Sequence, residues 1–196
     1  MYPFLSLIIY ISLVMSDEKV KVLRDLKEAA DLFVGYERAA ELIPEIRTNL
    51  VYALPNAKTT SEVAGIPGRI TAAFGRAFYC MEPAFGASDH MARLVVSAMK
   101  YSPELRSAIN VRLFGVPEGA YVFDRSKEPE ESRKVERGTM QTIVEAAHKD
   151  LGRVPEVIVD SGDFGKEPGI YVLGTNPVNV VKRVIELYEK YTNSRP

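Results

Sequence analysis

Tryptophan is absent, cysteine occurs once, at Cys80, and histidine twice, at His90 and His148. A lone thiol cannot close an internal disulfide, which suits a reducing, cytoplasmic setting. Two imidazoles leave too few ligands for a three-histidine metal centre. An excess of one charge is lacking too: 25 Lys and Arg face 26 Asp and Glu, a net charge of −1. Bulk charge therefore gives no reason to expect nucleic-acid binding. No GxGxxG or P-loop occurs, which removes the commonest nucleotide cradles. Internal repeats and long linkers are missing as well. What remains is an ordinary globular composition, 46% hydrophobic and 26% charged, over 196 residues, the length of one domain.

The single long apolar run stands at the start. Residues 1–16, MYPFLSLIIYISLVMS, are shorter than the roughly 17–25 residues that cross a bilayer as a helix. They have no leading Lys or Arg and no small-x-small cleavage site, so they make a poor signal peptide. We read Met15 as the working start, residues 1–16 as a leader outside the fold, and 17–196 as one domain. No membrane contact is expected beyond that leader.

Helices and strands then mix irregularly. Val20, Leu23, Leu26, Ala30 and Phe33 recur at helical spacing within 17–42, with Gly35 and Pro44 as stops. Residues 49–55 read as a β-run, 56–68 as turn-rich, and 70–80 as a strand made irregular by Gly75. A helix follows FGASD, with Ser88 at its N-cap, Asp89 in its first turn, and Met91, Val95, Ala98 and Met99 as its apolar face. Strands are expected at 108–114, 120–123, Val157–Asp160 and 170–173, and helices over Thr139–Leu151 and 177–191. Residues 125–137 read as a charged, solvated connection. The class is α/β, without the regular βαβα alternation of a doubly wound fold.

Three glycine-rich loops stand next to charged residues: Gly65-Ile-Pro-Gly-Arg69, Phe85-Gly-Ala-Ser-Asp-His90 and Gly162-Asp-Phe-Gly-Lys-Glu167. Glycine lets a backbone approach a ligand, and a helix N-terminus offers unpaired N–H groups to an anion. If the loops converge, Arg69, His90, Arg93 and Lys166 form a phosphate-binding set. Taken singly, each has an ordinary explanation, a surface ion pair for Arg69 or a hydrogen-bonded surface imidazole for His90. Asp160, at the end of an apolar run, reads equally as a turn cap or a ligand contact.

Read in order, NLVYALPNAKTTSEVAGIPGRI, FGASDHMAR, INVRL, DSGDFGKEPGIYVLG and NPVNVVKRV resemble the ThiN-type thiamine-phosphate synthase family, also found as a domain behind hydroxymethylpyrimidine (phosphate) kinases. The resemblance implies a three-layer α/β/α sandwich around a mixed, mostly antiparallel sheet, like that of class II (AraD) aldolases. It implies a transferase that joins hydroxymethylpyrimidine diphosphate to hydroxyethylthiazole phosphate and releases pyrophosphate. The family's arginine after the glycine of IPGR and histidine of SDH correspond to Arg69 and His90, which become the expected catalytic pair. Gly68, Ala87, Ser88, Asp89, Arg93, Asn110, Asp160 and Lys166 are the expected substrate- and phosphate-binding residues. No metal ligand set is expected. Mg²⁺ enters only as a bridge between pyrophosphate oxygens, with Asp89, Asp160 and Asp163 as candidate partners. The expected partners are phosphorylated small molecules, with a homodimer as the assembly and no nucleic acid. The alternative is a non-catalytic sensor of thiamine phosphate. Sensors of this family carry a helix-turn-helix ahead of the domain, and the residues between Met15 and the matched core are too few and too little basic for one.

Overall fold

The computed structural model describes residues 3–125, 138–163 and 165–194, with side chains from Asp17 onward. Most of the charged connection expected at 125–137 thus lies outside the described residues.

In chain order the elements are α1 (Pro3–Gly35), a 3₁₀ turn (Ala39–Leu42), β1 (Leu50–Ala53), a 3₁₀ turn (Thr60–Glu62), β2 (Val63–Gly65), β3 (Thr71–Ala73) and β4 (Arg76–Phe78). There follow β5 (Ala84–Phe85), α2 (Asp89–Met99), β6 (Ser107–Arg112), β7 (Tyr121–Phe123), α3 (Thr139–Leu151), β8 (Val157–Asp160), β9 (Gly169–Gly174) and α4 (Pro177–Asn193). Seven strands form one sheet in the order β5-β2-β1-β6-β9-β8-β7. Every pair is antiparallel except β7 with β8.

Strict alternation along the strands builds two cores. Leu50, Tyr52, Ile109, Val111, Val159, Ile170 and Val172 face one way, onto Leu26, Ala30 and Phe33 of α1 and Val181, Val184 and Tyr188 of α4. Val51, Ala53, Ala108, Ile158, Tyr171 and Leu173 face the other way, onto α2 and α3. Strands buried on both faces read as continuous apolar runs, as VIVD and GIYVLG do. The result is the three-layer α/β/α sandwich with a mixed, mostly antiparallel sheet.

Two local readings change. The expected strand at 70–80 is a hairpin, β3 with β4, that forms its own small sheet. Its turn takes Phe74 and Gly75 at φ of 51° and 73°, so the glycine is the reversal of a chain rather than an irregularity within a strand. The first helix does not start at Asp17 either. It runs unbroken from Pro3 to Gly35, and its described packing into the core begins at Val22, while Val20, expected on the apolar stripe, is 61% exposed. No described helix is long and apolar enough to cross a membrane.

Candidate active site

The antiparallel order sets the geometry of the site. At the sheet end where β1 begins, β2, β7 and β8 finish, so the loops after them gather with the segment that leads into β1.

The loop after β2 is a tight turn. The Arg69 N–H donates to the Ile66 carbonyl at 3.0 Å. Pro67 and Gly68, the latter at φ 76°, suit the two central positions of a type II turn. Arg69 itself sits at φ 67°, a left-handed conformation that costs a side-chain-bearing residue roughly 1–2 kcal/mol. Paired backbone bonds between Thr48 and Ile70, at 3.0 and 2.7 Å, hold it there. The exposed Arg69 side chain places Nη1 at 2.5 Å from the Ile46 carbonyl.

The N-terminus of α2 lies against the same loop. β5 pairs with β2, and the Gly86 N–H donates to the Val63 carbonyl at 3.0 Å. A Cβ on Gly65 would stand 3.2 Å from Ser88 Cβ and 3.3 Å from Asn49 Oδ1, so the absence of a side chain lets the two segments touch. Ser88 occupies the N-cap, as expected, but its hydroxyl makes no capping bond. The first-turn N–H groups of α2 are thus not capped by its side chain. Asp89 pairs with Arg93 at 2.8 Å, and Arg93 keeps a buried Nε with no hydrogen-bond partner.

The third loop joins through a carboxylate. Glu167 accepts from the Glu45 and Ile46 N–H groups at 3.1 and 3.2 Å. One peptide segment, around Ile46, therefore ties the loop after β8 to Arg69. Lys166 is exposed and closes a tight turn with Asp163 through backbone bonds of 3.1 and 2.8 Å.

Beneath these loops lies a buried ion pair. Arg125 and Asp160, 5% and 1% exposed, meet in a bidentate fork, with Nε to Oδ1 at 2.7 Å and Nη2 on Oδ2. The Gly162 N–H also donates to Asp160 Oδ1, at 3.0 Å. Burying such a pair contributes little net stability. Its electrostatic reach is informative: His90 is pushed down to about 4, first by burial and then by Arg93, Arg69 and Arg125, with Asp160 opposing. Residues from α2, the turn after β2 and the ends of β7 and β8 thus act on one imidazole.

The expected residues fall into three groups. Gly68, Arg69, Ser88, Asp89, His90 and Arg93 gather where the turn after β2 meets α2, with Ala87 just before the N-cap. Asp160 adjoins them, but both its oxygens already hold Arg125 and Gly162, which makes it a support for that cation. Asn110 is likewise engaged: it accepts from the Asn49 N–H at 2.8 Å and donates to the Arg47 carbonyl at 3.0 Å, clamping the entry to β1. Lys166 stands at the outer rim. Arg125 was not expected, because it opens a charged run; the signal for it was its position two residues after a strand whose parallel neighbour ends in Asp160. Among the described residues no cluster of three or more His, Cys, Asp or Glu could hold a metal. Of the three carboxylates considered as Mg²⁺ partners, Asp89 and Asp160 are each paired with an arginine, and Asp163 lies in the turn with Lys166.

The sequence profile of the thiamine-phosphate synthase ThiN family matches residues 25–186. The thiamine-phosphate synthase ThiN of Methanothermobacter thermautotrophicus is 36% identical over 177 residues, 86% of this chain and 93% of that protein. The bifunctional thiamine biosynthesis protein ThiDN of Methanocaldococcus jannaschii is 35% identical over 184 residues, 90% of this chain and 42% of that longer one. The crystal structure of a C-terminal domain of phosphomethylpyrimidine kinase superposes with a TM-score of 0.79 at 38% identity, covering 87% of this chain and all of that domain. The chain belongs to the ThiN family of thiamine-phosphate synthases, as a transferase of thiamine biosynthesis.

Proposed function

We propose that the chain joins hydroxymethylpyrimidine diphosphate to hydroxyethylthiazole phosphate, giving thiamine phosphate and pyrophosphate. The thiazole nitrogen forms a bond to the pyrimidine methylene carbon as the bond from that carbon to the diphosphate oxygen breaks. The leaving diphosphate takes the electron pair. Negative charge on that oxygen is what the site must stabilise, and fixed donors aimed at developing charge are the largest lever available.

The observation that carries this reading is the close approach of the turn after β2 to the α2 N-terminus at Gly65 and Ser88, which brings Arg69 near His90 and Arg93, with the charges of Arg93, Arg69 and Arg125 all acting on the imidazole. Arg69 offers a planar fork for phosphate oxygens. The α2 first-turn N–H groups add a helix dipole of the right sign. With its affinity for protons pushed down to about 4, His90 is a neutral imidazole near pH 7. Its role is then a hydrogen bond to the departing oxygen rather than delivery of a proton. Mg²⁺ belongs to this scheme only as a companion of the diphosphate substrate, and a homodimer is the proposed assembly.

Purified chain with both phosphorylated precursors, followed for thiamine phosphate and pyrophosphate, tests it. Arg69→Ala and His90→Ala should each lower kcat by about 10²–10³-fold, the usual cost of one such donor. Thiamine phosphate binding without any turnover would move the assignment to a sensor.

A further inference from the structure

The turn that ends on Arg69 has a counterpart in the segment leading into β1. There the Arg47 N–H donates to the Pro44 carbonyl at 2.9 Å, as the Arg69 N–H does to the Ile66 carbonyl at 3.0 Å. Each turn therefore closes on an arginine, and both arginines are left-handed, at φ of 68° and 67°. The residues that follow them, Thr48 and Ile70, exchange both backbone bonds. The side chains then cross. Arg69 Nη1 reaches the Ile46 carbonyl at 2.5 Å, and Arg47 Nη1 reaches the Gly68 carbonyl at 3.4 Å. Each guanidinium thus lies on the carbonyl of the residue just before the other arginine. Thr48 and Ile70 are fully buried while both arginines are exposed, so the two cations emerge together on the solvent side.

A long side chain in the left-handed region is costly, and residues held there concentrate at ligand clamps. Here two adjoining turns bear that cost at the same position with the same residue type. Among the described residues neither guanidinium meets a carboxylate, whereas Arg93 and Arg125 each do. Glu167, the carboxylate that reaches this segment, has its two oxygens on the Glu45 and Ile46 N–H groups. Each guanidinium offers a fork of N–H donors, and one carbonyl contact leaves the others open to a ligand. A single phosphoryl group suits one fork, and two phosphoryl groups joined by a bridging oxygen suit a pair of them. We propose that Arg47 is a second anion-binding residue of this site, so that Arg47 and Arg69 together hold the two phosphoryl groups of a diphosphate. This rests on the synthase reading for the identity of that diphosphate as the leaving group.

Arg47→Gly removes the guanidinium and puts at that left-handed position the residue that tolerates it best. Titration calorimetry of wild-type and variant chains uses inorganic pyrophosphate and, separately, orthophosphate. The affinity for pyrophosphate should fall about tenfold or more, the scale of a charge-assisted contact, and that for orthophosphate less than about threefold. Because glycine relieves the backbone, Tm should hold. Arg47→Lys, which keeps the charge but not the fork, should recover only part of the pyrophosphate affinity. Unchanged pyrophosphate affinity in Arg47→Gly, equal losses for the two anions, a fall in Tm as the sole effect, or a wild type that binds no pyrophosphate overturns the proposal. An Arg47-dependent pyrophosphate site in a chain that makes no thiamine phosphate removes the synthase reading and upholds this contact.

Discussion

His90 shows how a residue's surroundings decide its chemistry. An ordinary imidazole titrates near 6.5, but burial and the three guanidiniums hold this one to about 4. Two consequences can be measured. The pH profile of kcat/KM, which reports the free enzyme, should keep its shape between about pH 5.5 and 8 in His90→Gln, and His90→Gln, which keeps an N–H donor, should retain more activity than His90→Ala. Stability has the opposite sensitivity. Between about pH 4 and 6.5 the unfolded chain binds the proton that the folded chain refuses, so stability rises with pH there. The contribution is complete above about 6.5 and is lost as pH falls towards about 4, at up to about 1.4 kcal/mol per unit. Thermal melts of wild type and His90→Gln across pH 4.5–7 should diverge in that sense, with the wild type losing more on acidification.

At the scale of elements, the contact between the turn after β2 and the start of α2 depends on a missing side chain. Gly65→Ala would push a methyl to 3.2 Å from Ser88 and Val51 Cγ1, tighter than well-packed atoms accept. We expect a cost of about 1 kcal/mol, a fall of roughly 2–4 °C in Tm, and a larger proportional loss of kcat as His90 moves relative to Arg69. Melting and initial rates on the same preparation check the ratio. The helices and main strands of this layer were legible from apolar periodicity, because each buries a stripe or a face. The loops were legible as glycine next to charge, and Arg69 and His90 stood out within them. Arg125 did not. An arginine opening a charged run looks solvated. Only the register of β8 against β7, which no local pattern encodes, sets it beside Asp160. The β3–β4 hairpin is hidden in the sequence because its tight reversal at Phe74–Gly75 places phenylalanine where asparagine or aspartate is usual.

Across the whole molecule, a net charge of only −1 is locally uneven at this end of the sheet, where Arg93 and Arg125 each have a carboxylate partner and the exposed Arg69 has a backbone carbonyl instead. Polyanionic substrates should be drawn to that end by a field that salt screens. Raising ionic strength from about 0.05 to 0.5 M should lower kcat/KM about fivefold and leave kcat within twofold, read from full saturation curves. The resting position of Arg69 adds direction to that attraction. Its guanidinium leans on the Ile46 carbonyl through Nη1, and the Ile46 peptide N–H is in turn anchored by Glu167. One arm tethered to the backbone leaves the remaining donors of the fork with a set heading. An anion that met them would find the side chain already steered, with less rotamer freedom left to surrender on contact.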